Sequence, residues 1–169
     1  MVALRTAFSL AACQAERDQP ERARCLMQEA WPLFSEIRDE RELIRLYGFE
    51  GRALGRLGDR EEALQILESV RRKLIAELSP AEAALASLDL ALILAESGRA
   101  AEIESLAVAL EASFPEEPAL ILAAGALASF GDLATAGEPH LRQAATDAAV
   151  TLRRTFRARR LAIKPLPFA

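Results

Sequence analysis

The chain has 169 residues, a net charge of −4, and 51% apolar but only 5% aromatic residues. That length gives room for one domain, and a core of Ala and Leu suits closely packed helices. It excludes a β-sandwich, which wants more Val, Ile, Thr and Tyr. Nineteen arginines stand against only Lys73 and Lys164, with no asparagine, so the arginine excess reads as a chain-wide bias before it reads as a binding feature. The mild acidic balance speaks for solubility and little else.

Residues 2–17 carry a helical apolar period, with Val2, Phe8, Ala11, Ala12 and Ala15 available for burial. No cap residue precedes them, which hints at a piece of a longer protein. Asp18 is the expected cap of a second helix, with Pro20 in its first turn and Glu21 three residues on. That helix heads for Arg38, but Pro32 should bend it or end it early. Trp31, Phe34 and Ile37 mark its expected buried face. A third helix spans about Glu40 to Leu57. A fourth starts at Asp59 as cap, with Glu62 three on, and runs to about Leu78. Ser79-Pro80-Ala81-Glu82 combines cap, proline and capping acid, and the fifth helix it opens ends at Ser97-Gly98. The sixth covers about Ala100 to Ser113 and the seventh about Glu116 to Phe130. Gly131 to Pro139 reads as a loose loop, and an eighth helix runs from near Glu138 to about Leu161. Lys164 to Ala169 holds two prolines and reads as an extended tail.

The stretch IRLYGFEGRALGRLGDREEA, Ile44 to Ala63, organises the rest. Gly51 lies inside one helix, Ala63 near the start of the next, and Gly58-Asp59 breaks the period between them. A mid-helix glycine costs about 1 kcal/mol against alanine, so a close neighbour is expected, with Ala63 facing the gap. The pattern recurs at a stride of 40, with turns at Asp18, Gly58 and Gly98. Ala11, Gly51 and Ala91 stand seven residues before these turns; Ala23, Ala63 and Ile103 stand five after, and Ile103 breaks the small-residue rule. Gly131-Asp132, with Ala124 before it, is a weaker fourth match. Helical hairpins repeated at a fixed period mark a stacked repeat protein.

The small-residue spacing and the GD-x-EEA turn resemble the tetratricopeptide repeat (TPR) family over about residues 4–114, and weakly over 115–160. The resemblance implies an all-α, right-handed superhelix of seven to eight helices in antiparallel pairs. It places repeats at about 2–38, 40–78, 79–114 and 116–161 of one domain, 1–161, followed by the tail 162–169. The period of 40 departs from the family's usual 34, the early aromatic is represented only by Tyr47, and no repeat-closing proline recurs. Such arrays act mostly as protein-binding scaffolds. In the family's register the concave groove is lined by Arg5 and Phe8, by Arg45, Gly48, Arg52 and Arg56, and by Leu85, Leu88, Leu92 and Glu96. That pairs an arginine wall with an apolar floor and suits an acidic peptide. Solvated arginines in an arginine-rich chain fit the same pattern. The stretch ASLDLALILAESGRAAEIESLA also looks like the C-terminal part of bacterial TPR-containing regulators.

Phosphate loops, HExxH, CxxC pairs and nucleophile elbows are absent, so no cofactor, metal or catalytic residue is expected. His140 reads as a surface residue, and acidic pairs such as Glu61-Glu62 as first-turn charges favouring the helix dipole. Cys13 and Cys25 are too few for a disulfide framework and are expected as buried small hydrophobes, with a redox pair as the alternative. Arg153 to Lys164 holds six basic residues and no acid, leaving −10 on the rest of the chain. A cationic helix end explains this first, an acidic partner protein second; nucleic acid is disfavoured because the patch is short. No secretion signal opens the chain, and the longest membrane candidate, Ala83 to Ala95, is broken by Ser87 and Asp89. The expectation is a cytoplasmic, non-catalytic scaffold that binds a protein or peptide, with room for a homo-oligomer. Its rivals are a sensory or oligomerisation part of a bacterial regulator, and a small-molecule-binding helical domain.

Overall fold

A computed structural model describes residues 6–8, 10, 11, 13, 14, 19–137 and 139–162. In it one backbone hydrogen bond closes three turns at the 40-residue stride. The N–H of Gln19 donates to the Gln14 carbonyl at 3.0 Å, that of Asp59 to Leu54 at 3.0 Å, and that of Arg99 to Leu94 at 2.8 Å. At the second and third turns the helix ends on a left-handed glycine, Gly58 at φ 89° and Gly98 at φ 72°. The five-residue bond satisfies a carbonyl that the helix end would otherwise orphan. Equivalent positions inside the helices also share their fate. Ala11, Gly51 and Ala91 are buried, as are Ala23, Ala63 and Ile103.

The elements are all helical among the described residues. Those before Gln19 that carry an assignment are helix. After them come α1 (Pro20–Ala30) and a 3-10 turn (Trp31–Glu36). Then follow α2 (Glu40–Leu57), α3 (Arg60–Ala76), α4 (Pro80–Glu96), α5 (Ala101–Ser113), α6 (Pro118–Thr135) and α7 (Leu141–Ala162). Gln19, and not Asp18, holds the N-cap position of α1, without a side-chain cap bond; Asp18 and the expected tail fall outside the described residues. Pro32 ends α1 at Ala30 because its ring has no N–H to donate and clashes with the turn before it. The tighter 3-10 turn shifts the register, so Trp31 is 45% exposed and Phe34 and Ile37 are half-buried, not a continuous buried face. Asp39 caps α2 by accepting from the Glu42 N–H at 3.2 Å. Asp59 stands at the N-cap of α3 but bonds no helix N–H. Its carboxylate instead takes both Nη atoms of Arg24 in α1, at 2.7 and 3.3 Å.

Two compact units emerge, Met1–Glu77 and Leu78–Ala169. In the first, α2 and α3 form the main hairpin, and α1 packs on α2. A methyl at Gly51 would lie 2.7 Å from Leu67 Cγ, so the residue received by Gly51 is Leu67, one turn beyond the expected Ala63. Three rings form a ladder across this unit. Phe8 meets Phe34 edge-on at 5.4 Å, and Phe34 meets Tyr47 at 5.4 Å with a 46° tilt.

In the second unit α4 packs against α5, α6 and α7, while α5 meets α6 and α6 meets α7. A helix with neighbours on three sides has to be apolar nearly all round, and α4 buries ten residues, Ser87 among them. The Ser87 hydroxyl donates to the Ala83 carbonyl at 2.9 Å, which satisfies it inside the core. Gly131-Asp132 is not a turn. It lies within α6, which runs on to Thr135, and the left-handed glycine comes at Gly137, φ 75°. The glycine at 131 serves a close approach: a methyl there would stand 3.3 Å from Ile103 Cγ2. That accounts for Ile103, the large residue that broke the small-residue rule.

Candidate docking cleft

Along α2, Gly48 and Gly51, two of its three glycines, leave one side low. A methyl on Gly48 would sit 3.8 Å from Val70 Cγ1, so α3 lies against this side. Beside that contact the hairpin leaves an open cleft of about 330 Å³, lined by Ile44, Tyr47, Gln65, Ile66, Ser69, Val70 and Lys73. Its floor is aliphatic. Tyr47, 40% exposed, forms one wall and is backed by the ring ladder, so its ring is held from behind and open in front. Lys73 supplies a cation and Gln65 and Ser69 supply hydrogen-bonding groups.

Close by in the chain, Trp31 and Leu33 of the 3-10 turn are 45% and 41% exposed. The Trp31 indole N–H donates to Glu50 Oε1 at 2.5 Å. Glu50 is only 6% exposed. Burial pushes its carboxyl above the ordinary range; the Trp31 bond pulls it back, and the charge of Glu62 adds to the rise. This buried acid fixes the exposed Trp31 ring from beneath, a role the sequence did not advertise.

The residues that the repeat register assigns to a groove take other roles within each unit. Arg5 lies outside the described residues. Phe8 is fully buried in the ring ladder. Arg45, Arg52 and Arg56 do share one face of α2, but each is engaged within the molecule. Arg45 pairs with Glu42 at 3.7 Å. Arg52 sits 4.6 Å over the Phe49 ring and is half-buried. Arg56 is also half-buried and has a partner. Leu88 and Leu92 are 3% and 9% exposed and Leu85 is half-buried. These leucines belong to the packed centre of the second unit, not to an open floor. The cleft opens on the other side of α2: Tyr47 follows Arg45 by two residues, about 200° round the helix.

Other expectations resolve plainly. Cys13 and Cys25 are exposed free thiols, not buried hydrophobes, because both point outward from helices whose other sides hold Ala11 and Ala23. His140 is exposed. No cluster of metal-ligating side chains occurs among the described residues. Of the basic run from Arg153, only the Arg154 side chain is described, and it is exposed. Among the described residues, the stretch long and apolar enough, by length and composition, to cross a membrane is α6 and not Ala83 to Ala95, although a third of α6 is buried.

The fold and the cleft define an all-α protein of repeat-like helical packing with an open, aromatic-walled cleft. No family model, curated protein or solved structure matches the chain.

Proposed function

We propose that the chain is a non-catalytic, TPR-like interaction module that docks an extended segment of a partner protein in the Tyr47 cleft. The observation that supports this most is the ring of Tyr47. It is half in solvent, braced by Phe34 and Phe8, and set beside an aliphatic floor. Rigid, half-exposed aromatics are what binding hot spots are made of, since little side-chain entropy is lost when they are covered. Lys73 at the cleft suits a segment that carries an acidic residue next to an aliphatic one. The cleft's openness supports a peptide over an enclosed small molecule, which would call for a deeper site with converging polar groups. Two exposed free thiols support a reducing, cytoplasmic setting. No catalytic role is part of the proposal.

The test is a peptide array of aliphatic–acidic sequences probed with the full chain, followed by calorimetric titration of the best binder. Tyr47→Ala should weaken binding by about 30-fold, the hot-spot range. Lys73→Glu should weaken it by about 10-fold and flatten its salt dependence. The pair Arg52→Glu and Arg56→Glu serves as the counter-site. If that pair abolishes binding while Tyr47→Ala leaves it intact, the ligand lies on the arginine side and the cleft reading is wrong.

A further inference from the structure

The Tyr47 cleft has a polar edge that its apolar floor does not account for. Gln65, Ser69 and Lys73 all line it, all belong to α3, and all are exposed. They stand four residues apart, a rise of about 6 Å and a turn of about 40° past a full circle, so they make a row along the cleft. Their neighbours on the helix are engaged: Glu68 holds Arg71 at 2.9 Å and Arg72 at 3.6 Å. The row is not. None of its three side chains has a hydrogen bond or ion pair with a described residue. A helical serine often turns its hydroxyl back to the carbonyl four residues earlier, as Ser87, Ser97 and Ser113 do; Ser69 makes no such bond.

The chemistry of the row defines its complement. The Gln65 amide and the Ser69 hydroxyl each both donate and accept, whereas the Lys73 ammonium only donates. A matching ligand therefore presents N–H and C=O groups together at a repeat near that of the row, and an acceptor or a negative charge at one end. The edge of an extended peptide does this, since every second residue turns its N–H and C=O to the same side, about 6.6 Å apart. Over the two steps of the row the lengths are about 12 Å and about 13 Å, a difference that the flexible Gln65 and Lys73 side chains absorb. An α-helix spends its backbone groups internally and offers none to a row. A polyproline helix turns successive residues by a third of a circle and has no continuous edge.

We propose that Gln65, Ser69 and Lys73 are a main-chain clamp: the partner segment lies along the cleft as a single β-strand, with three alternate residues bonded through their backbones to the row. This inference rests on the docking reading of the cleft and specifies the occupant's conformation and pattern. One face of the strand lays its side chains against Tyr47 and Ile66, the apolar lining residues that are not already buried. The other face stays in water. The partner segment therefore alternates apolar and polar residues and carries its acid at the Lys73 end. Backbone bonds give affinity shared by many sequences, and the floor selects the alternation.

The experiment uses two fluorescein-labelled probes with blocked ends, Val-Thr-Val-Thr-Val-Glu and the reverse sequence, titrated with the full chain by fluorescence polarisation. In the tighter probe each amide is then replaced in turn by an ester, which removes one N–H donor. Esters at every second position should weaken binding by about 5-fold and those between should leave it unchanged. Gln65→Ala and Ser69→Ala, both at exposed positions, should each weaken binding by about 5-fold and erase the ester effect opposite them, with an unchanged helical circular-dichroism spectrum. An ester scan without a two-residue period overturns the clamp. So does a Gln65→Ala, Ser69→Ala chain that binds like the parent while Tyr47→Ala does not; the cleft then docks its ligand by side chains alone. If the array yields a Tyr47-dependent ligand and neither probe binds, the clamp falls and the docking reading stands. If the array yields none as well, both fall.

Discussion

Replacing Gly51 by alanine sets two opposing effects against each other at one atom. Alanine improves helix propensity by about 0.8–1 kcal/mol. The added methyl, however, lies 2.7 Å from Leu67 Cγ, 3.0 Å from Leu67 Cδ2 and 3.3 Å from Ile66 Cγ2. The nearest atom is the branch point of a fully buried side chain, so no terminal rotation clears it. Overpacking of this kind costs about 1–3 kcal/mol. The balance destabilises the first unit by about 1 kcal/mol. The chain supplies its own reporter: Trp31 is its one tryptophan and Tyr47 its one tyrosine, and both lie in the first unit. A urea titration followed by Trp31 fluorescence therefore reads that unit, while circular dichroism at 222 nm reads both. With a slope of about 2 kcal/mol/M, Gly51→Ala should lower the Trp31 midpoint by about 0.5 M. Gly125→Ala, with nothing near its methyl, should leave that midpoint alone and raise the stability of the second unit by up to about 1 kcal/mol. A Gly51→Ala chain as stable as the parent would refute the tight-packing account of the α2–α3 hairpin.

Glu50→Gln removes a buried charge while keeping an oxygen for the Trp31 indole, and should stabilise the first unit at pH 7 by about 1 kcal/mol. The parent should show the matching pH dependence. Its Glu50 carboxyl is raised in the folded state, so the folded chain binds the extra proton first, and stability grows as pH falls through that raised value. Once pH drops below the ordinary carboxylate value both states are protonated and the gain is complete. The stability difference between Glu50→Gln and parent should therefore shrink as pH falls from 7 towards 4, measured by Trp31 fluorescence; a constant difference counts against it. Asp39→Ala should cost about 1 kcal/mol as a lost helix cap, and Asp59→Ala less, because the Asp59 side chain makes no cap bond and its Arg24 partner is exposed. Equal losses would show that the Arg24 pair matters as much as a cap.

The turns were legible because a left-handed helix end demands a residue type. Gly58 and Gly98 advertise it, and the same closing bond recurs one stride earlier at Gln19, where the sequence has no glycine. Gly131 misled for the same reason in reverse. Glycine marks both a turn and a close approach, and only the neighbouring Ile103 tells them apart. The apolar stripe Leu85-Leu88-Leu92 could not be assigned from spacing, since a helix touched on three sides is apolar all round and points nowhere. Arg45, Arg52 and Arg56 share one face of α2, as their spacing requires. What spacing conceals is that Glu42 and the Phe49 ring already occupy Arg45 and Arg52. The Tyr47 cleft arises from the offset of two helices around glycines, and no local signal encodes it. Glu50 carries no local sequence signal; only its burial beneath Trp31 singles it out.

The closing bonds at Gln19, Asp59 and Arg99 fall at one fixed interval, and this bears on how the chain could change length. Excising residues 59–98 would join Gly58 directly to Arg99, with the residue ahead of the seam and the residue behind it each already suited to that corner. Gains or losses of forty residues thus require no new linker to be invented, whereas shorter changes would twist every downstream side chain out of phase.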